Sequence, residues 1–221
     1  MTCLIKTHIK TITVLIVLLS MPLIQACSFL GLAMGAAATT GIAASQEGGI
    51  SGAVSDGVIK AKINDAWLNY DVSTFAKLST TVERGRVLIT GVVQDPEARV
   101  EAVRLAWQVK GVQQVINEIR VAESEGITGF IKDTWITSRL RTAITIDRGV
   151  QSINYSIDTV SGVVYLMGYA QNRAELNRVV ETARTISGVK QVVSYVKMVG
   201  EDIEPDPLAE ENNAYGEDVR Q

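Results

Sequence analysis

Histidine and cysteine, which most often supply catalytic bases, nucleophiles and soft metal ligands, are almost absent from this sequence. His8 is the only histidine, and Cys3 and Cys27 are the only cysteines. After Cys27 the chain therefore has no imidazole base, no thiol nucleophile and no disulfide, and it lacks His and Cys metal ligands. We expect no metal and no cofactor.

Carboxylates remain as candidate catalytic groups, because a pair of them can act as acid and base. Asp56 and Asp133 stand 77 residues apart, and each opens an apolar helical pattern. An acid at that place caps free backbone N–H groups and complements the helix dipole, which we favour over catalysis. Serine has no histidine to activate it. The sequence therefore predicts no enzyme, no catalytic residue and no small-molecule substrate.

Cys27 is better explained by the segment before it, which has the features of a secretory signal peptide. Lys6 and Lys10 precede the apolar run Ile12–Leu19, which is too short to span a bilayer. The segment Leu23–Cys27 (LIQAC) resembles a lipobox, which implies removal of residues 1–26 and acylation of Cys27. A serine follows it instead of the aspartate of inner-membrane retention, so we expect the periplasmic face of the outer membrane. An ordinary signal peptide or an uncleaved anchor stays open.

The next segment, residues 27–54, is rich in Gly, Ala, Ser and Thr after the cysteine. This composition predicts a flexible tether. Gly31 and Gly35 also have the GxxxG spacing of a packing face in a membrane helix. The neighbouring lipid anchor favours the tether.

The strongest pattern in the chain is an internal repeat with an offset of 77 residues. Other residue types match in the same ungapped register, such as Gln94 with Gln171 and Val103 with Val180. Glycines at fixed places are explained by backbone geometry, so we interpret them as structural and not as a phosphate loop. The glycines shared by the two copies are Gly85, Gly91 and Gly111 in the first and Gly162, Gly168 and Gly188 in the second.

Each copy predicts the order αββαβ from apolar periodicity and turn residues. Asp95 and Asn172 are predicted N-caps, and Gly111 and Gly188 suit the left-handed position that ends a helix. The fold class is α+β: two tandem small domains, each with two helices on one face of a mixed three-stranded sheet. The predicted elements are helices Asp56–Leu68, Asp133–Ile146, Asp95–Val109 and Asn172–Ile186, and strands Ser79–Glu83, Ser156–Val160, Arg86–Thr90, Val163–Met167, Val112–Arg120 and Val189–Met198.

Both copies resemble the BON domain. The Gly-x-Val-x-Leu-x-Gly core of that domain is similar to Gly85–Gly91 (GRVLITG) and Gly162–Gly168 (GVVYLMG). The whole layout resembles the dual-BON outer-membrane lipoproteins of the DolP type. The predicted organisation is a signal peptide (1–26), an anchor and tether (27–54), a first BON-like domain (55–123), a linker (124–130), a second BON-like domain (131–200) and a tail (201–221).

Charge is distributed unevenly along the chain. Residues 55–123 carry nine basic and nine acidic side chains, whereas residues 124–200 carry nine basic and six acidic ones. Residues 201–221 carry eight acidic residues against one arginine, and this composition predicts disorder. The modest domain charges and an aromatic content of 5% argue against nucleic acid as a partner.

The first helix of the second copy carries the candidate binding site. If Ile136 and Leu140 face the sheet, Trp135 cannot, because adjacent helical residues lie about 100° apart. A second row, Ile131, Trp135, Arg139 and Thr142, follows helical spacing. A partly exposed indole with basic neighbours suits a membrane interface, although packing against the neighbouring domain stays open.

The resemblance adds a ligand, because in DolP-type proteins the corresponding helix contacts anionic phospholipid. It implies that this protein binds anionic membranes and supports outer-membrane integrity. The helical register of the same residues places Ile136 on the buried stripe with Leu140. A periplasmic scaffold for envelope proteins or for self-association, with the lipid only as an anchor, is the alternative. The residues expected at the lipid surface are Trp135, Ile136, Arg139, Lys132 and Arg141.

Overall fold

The computed structural model describes residues 49–123 and 126–203. These residues form two consecutive domains with the same order of elements, helix, strand, strand, helix and strand. The predicted signal peptide, the predicted lipidation site Cys27, the tether up to residue 48 and the tail from residue 204 lie outside the described residues.

The elements of the two domains correspond one to one. The first domain consists of α1 (Gly49–Phe75, with a kink at Asp71), β1 (Leu78–Glu83), β2 (Arg86–Val93), α2 (Pro96–Trp107) and β3 (Gln114–Val121). The second consists of α3 (Gly126–Ile146), β4 (Tyr155–Val160), β5 (Val163–Ala170), α4 (Arg173–Thr185) and β6 (Gln191–Met198). A short 3₁₀ turn, Ser152–Asn154, precedes β4.

Each domain contains a mixed three-stranded sheet with its strands in chain order. The first two strands form an antiparallel hairpin, and the third pairs parallel to the second. A parallel partner requires a crossover, which α2 and α4 provide. The predicted fold class, two αββαβ domains, is confirmed.

Two helices cover one face of each sheet and bury an apolar core there. Successive strand residues point to opposite faces, so Val87 and Ile89 face the helices in the first domain and Val164 and Leu166 do so in the second. The helical residues fully or nearly buried against them include Ile59, Ile63 and Trp67 in α1 and Ile136, Leu140 and Ile144 in α3.

The second helix of each domain begins at the predicted N-cap. The side chain of Asp95 accepts a hydrogen bond from the backbone N–H of Glu97, and Asn172 accepts one from Glu175. Both caps are therefore confirmed.

The ends of these helices differ from the prediction. Gly111 and Gly188 have positive φ, but the helices already end at Trp107 and Thr185. The two glycines lie in the following loop, where a Cβ on Gly188 would stand 3.3 Å from Ile136 Cδ1. Their position reflects the close approach of the loop to the first helix.

The capping roles predicted for Asp56 and Asp133 are wrong. Each lies seven residues inside its helix, because α1 begins at Gly49 and α3 at Gly126. Their carboxylates instead accept hydrogen bonds from the turn of the neighbouring hairpin. Asp133 accepts from the N–H groups of Ser161 and Gly162 at 2.7 and 2.8 Å, and Asp56 binds the equivalent N–H groups of the first hairpin at 2.7 and 2.9 Å.

Two predicted boundaries change as a consequence. Residues 49–54, predicted to belong to the tether, are helical, and residues 126–130, predicted to be linker, form the first turn of α3. Gly129 lies within the helix, on the same buried side as Ile136 and Leu140.

The second face of each sheet packs against the other domain. Leu88 of β2 forms a buried cluster with Tyr165 and Met167 of β5. Polar contacts surround this cluster. The Arg86 guanidinium donates to the carbonyl of Tyr195 at 2.9 Å, and Ser156 Oγ donates to Glu83 Oε1 at 2.7 Å. The described domains therefore form four layers in the order helices, sheet, sheet, helices.

Candidate functional site

Helix α3 presents a buried face and an opposite face that is open to solvent. Ile136 is only 2% exposed and packs with Leu140 and Ile144 in the core of the second domain. The prediction that Ile136 contacts lipid is therefore wrong, because its side chain points into the sheet. The helical register already gave this result, since Ile136 shares a face with Leu140.

The open face carries a row of large apolar side chains. Ile127 is 79% exposed, Ile131 61% and Trp135 48%. Their spacing of four residues places them along one side of the helix, away from the core. Phe130, 71% exposed, lies beside the row near the start of α3. We call Ile127, Ile131 and Trp135 the apolar row.

Basic side chains flank the apolar row. The guanidinium of Arg139 lies 5.7 Å from the centre of the Trp135 ring, within the range of a cation–π contact. Lys132 is exposed one position after Ile131. Arg141 lies about 120° around the helix from Trp135, and its Nη1 donates to the carbonyl of Tyr155 at 2.6 Å. Arg139 is therefore in contact with Trp135, Lys132 is exposed three residues before it in the helix, and Arg141 lies on another side.

No acidic side chain lies on the open face of α3. The only acid in the helix is Asp133, whose carboxylate is held by the β4–β5 turn. The hydroxyl of Thr142 donates to the carbonyl of Ser138, so part of the polarity on this face is satisfied within the helix. The face combines apolar groups with positive charge.

The equivalent face of α1 has a different composition. Val58 stands where α3 has Trp135, and it is equally exposed at 48%. Lys62 stands where α3 has Arg139, and it is also exposed. The first domain thus keeps the cation but lacks the large aromatic side chain.

Two residues of the site were missed in the sequence. Ile127 and Phe130 fall in the segment predicted to be a linker because it contains two glycines. The signal that could have found Ile127 is its spacing, since Ile127, Ile131 and Trp135 follow one another at four residues. The glycines in the first turn indicated a linker, so the four-residue spacing was not extended back to Ile127.

Within 49–123 and 126–203 no group of three or more His, Cys, Asp or Glu side chains could hold a metal ion. In the same ranges no helix is both long enough and apolar enough to cross a bilayer. The predicted lipidation site, Cys27, lies outside these ranges.

Comparison with known proteins identifies the two domains. The BON domain family matches residues 55–123 and 132–200, which include both sheets and all of α2 and α4. The chain is 40% identical over 146 residues to an uncharacterized protein in the gshII 5′ region of Anaplasma centrale, covering 66% of this chain and 95% of that protein.

Two named relatives are more distant. The osmotically-inducible protein Y of Escherichia coli is 28% identical over 65% of this chain and 73% of its own length. The outer membrane lipoprotein DolP of Haemophilus influenzae is 26% identical over 65% of this chain and 75% of its own length.

Proposed function

Because the chain belongs to the BON-domain family, we propose that it is a non-catalytic envelope lipoprotein whose second domain binds anionic phospholipid. Cys27 carries the acyl anchor at the periplasmic face of the outer membrane, and the protein supports the integrity of that membrane. The lipobox-like segment before Cys27 and the similarity to an outer membrane lipoprotein support the location.

The observation that carries this proposal is the open face of α3. An exposed row of Ile127, Ile131 and Trp135 beside Lys132 and Arg139 has the chemistry that an anionic bilayer surface attracts. Trp at a membrane interface buries its ring while its N–H stays hydrated, and basic residues near an anionic surface contribute about 1 kcal/mol each.

The contact is expected to be weak and reversible. One indole, two isoleucines and two cations are far fewer groups than an inserted helix offers. An acyl anchor on the same chain raises the effective concentration of the domain at the surface, so weak contacts suffice. The anchor and the α3 face together form a two-part attachment.

Vesicle flotation tests the proposal. The mature chain without acyl groups, residues 28–221, is mixed with anionic or zwitterionic vesicles, and the fraction that floats is measured. We expect preferential flotation with anionic vesicles and at least a fivefold loss for Trp135→Ala. The matched control is Val58→Ala, which truncates the equally exposed side chain at the equivalent position of α1 and leaves flotation unchanged.

Varying the ionic strength separates the electrostatic contribution to vesicle binding from the apolar contribution. Flotation is expected to fall steeply as salt rises, because exposed charges are screened over about 10 Å at 0.1 M. Arg139→Gln should lower the salt dependence more than Lys62→Gln, its equivalent in the first domain. Flotation that is equal for all variants, or absent for the native chain, contradicts the proposal and favours the protein-interaction scaffold.

A further inference from the structure

The interface between the two domains is nearly symmetric. Leu88 and Tyr165, which belong to the same buried cluster between the sheets, occupy equivalent positions of the 77-residue repeat. The same is true of Glu118 and Tyr195, where the phenol hydroxyl donates to the carboxylate. Contacts between equivalent positions are the mark of a twofold interface. Any feature at the border of this interface should therefore occur twice.

One of the two equivalent borders is filled by a pair of side chains. The guanidinium of Arg84, at the β1–β2 turn, lies over the ring of Tyr169 in β5, 4.1 Å from its centre. Tyr169 is buried there, with 2% of its surface exposed. These two side chains close the space between the domains on that side.

The other border is open, because the equivalent residues are small. Ser161 stands where Arg84 would be, and Val92 stands where Tyr169 would be. Both residues line a cleft of about 740 Å³ between β1, β4 and the first turns of α3. This volume lies in the range of small-molecule sites in proteins, about 300–1,000 Å³.

The walls of the cleft offer apolar surface more than free polar groups. Leu78, Val92, Val160 and Phe130 supply apolar side chains. Several polar groups between them are already paired: Thr137 Oγ1 donates to Thr159 Oγ1 at 2.8 Å, and Asp158 accepts from Thr90 and from the N–H of Thr159. The charged residues of the lining are Asp133, Asp158 and Lys77, so the cleft has no excess positive charge that would attract an anionic headgroup inside.

The cleft is continuous with the apolar row of α3. Ile127 belongs to both, and Phe130 lies at the cleft with 71% of its surface exposed. A membrane that meets the apolar row therefore also meets this opening. We propose that the cleft takes up an acyl chain of a membrane phospholipid, while the headgroup stays outside. The proposal rests on the membrane contact proposed above for α3.

A monomeric short-chain lipid tests the cleft without a bilayer. Dihexanoyl phosphatidylcholine, kept below its micelle concentration, is titrated into residues 28–221, and backbone amide shifts are followed by NMR. We expect saturable shifts at Val92 and Ser161 and none at the equivalent Tyr169 and Arg84. Glycerophosphocholine, which has the same headgroup and no acyl chains, should cause no shifts.

A variant that blocks the cleft can be copied from the equivalent border of the same interface. Val92→Tyr with Ser161→Arg copies the pair that fills the other border, and Ser161 already has the φ of 52° that Arg84 adopts. We expect at least a tenfold loss of lipid affinity, with flotation on anionic vesicles within twofold of the native chain. Trp135→Ala should show the reverse, reduced flotation with short-chain binding retained.

Several results overturn the cleft assignment. They are the absence of saturable shifts in the native chain, shifts of equal size at Arg84 and Tyr169, equal binding of glycerophosphocholine, or undiminished affinity in the folded double variant. If the double variant does not fold, the cleft assignment is tested by the NMR shifts of the native chain alone, at Val92 and Ser161 against Tyr169 and Arg84. If the native chain does not float with anionic vesicles but still shows the saturable NMR shifts at Val92 and Ser161, the α3 membrane contact is refuted. The cleft then stands as a lipid site without it.

Discussion

Single glycines allow the close backbone packing of each repeat. The clearest examples are the glycines inside the second strand of each sheet. Gly168 has a φ of +123°, and a Cβ built on it would lie 1.9 Å from the carbonyl oxygen of Asn154. Gly91 has a φ of +126°, and its Cβ would lie 2.3 Å from the carbonyl oxygen of Lys77. Both positions require glycine because the chain entering the first strand passes directly against them.

We expect Gly168→Ala to lower the free energy of unfolding by about 3 kcal/mol or more, because it combines a strained φ with a backbone clash. Urea denaturation followed by circular dichroism measures the change. Gly57→Ala is the control, since Gly57 lies in α1 with no atom within 4 Å of its built Cβ. That substitution should raise stability by up to about 1 kcal/mol. Equal destabilisation by both would contradict the argument.

The residues of the α3 face were partly predictable from the sequence. Exposure of Trp135 followed from the burial of Ile136 and Leu140, because Trp135 is turned about 100° away from Ile136 on the side remote from Leu140. The cation–π contact with Arg139 follows from the i, i+4 spacing. The partner of Arg141 was not predictable, because it is the carbonyl of Tyr155 at the start of β4. Only the packing of α3 beside that strand brings the two groups together.

At the scale of elements, a half-buried carboxylate clamp joins each first helix to the hairpin that follows it. Asp133 binds two N–H groups at the β4–β5 turn, and Asp56 does the same at the β1–β2 turn. A carboxylate that accepts two such bonds fixes the helix relative to the turn, since charged acceptors make the stronger hydrogen bonds.

Removing the charge of one clamp tests this role. Asp133→Asn should lower the free energy of unfolding by about 1–3 kcal/mol, because hydrogen bonds to charged groups contribute on that scale. Asp56→Asn should have a similar effect in the first domain, and the two effects should be nearly additive. Thermal denaturation provides the measurement, with exposed Asp65→Asn in α1 as control. A change for Asp133→Asn no larger than that of the control contradicts the clamp.

The clamp also explains why the helix starts were mispredicted while the order of elements was correct. Periodicity and turn residues are local signals, and they identified α2, α4 and both hairpins. An Asp before an apolar run carries the same local signal whether it caps its own helix or binds a distant turn. Only the position of the hairpin, 28 residues further along the chain, separates the two.

For the whole molecule, the packing of sheet on sheet could not be inferred from the sequence. The β2 segment Val87–Ile89 is apolar on both faces, but periodicity does not say what covers the second face. The polar residues at this interface, including Glu83, Arg86 and Glu118, are of types that are mostly exposed. The symmetric contacts show that the second face of each sheet is covered by the sheet of the other repeat.

One of these polar residues makes stability depend on pH. Burial raises the pKa of the Glu83 carboxyl above its usual value of 4.5, and the charge of Asp56 raises it further. The hydrogen bond from Ser156 and the charges of Arg84 and Arg86 act in the opposite direction without cancelling the rise. The folded state therefore holds the proton of Glu83 more tightly than the unfolded state.

The sign of the effect follows from this difference. The contribution of Glu83 to stability is complete below about pH 4.5 and is lost as the pH rises through the folded pKa, because the unfolded chain binds fewer protons in that window. Glu83→Gln mimics the protonated form, so its stability relative to the native chain should increase from pH 4.5 to pH 8. Urea denaturation at a series of pH values measures the difference.

Glu101→Gln is the matched control, for which no such change is expected between pH 4.5 and pH 8. The hydrogen bond from Arg104 lowers the pKa of Glu101, so the stability that its carboxylate contributes is already present above about pH 4.5 and is lost only as the pH falls through the folded pKa. If Glu83→Gln also shows no change relative to the native chain between pH 4.5 and pH 8, Glu83 is not desolvated in the folded protein. Because Glu83 binds Ser156 of the other domain, that result would contradict the packing of the two sheets at this border. A gain for Glu83→Gln alone, with the control unchanged, supports a carboxyl that is shielded from water where the two sheets meet.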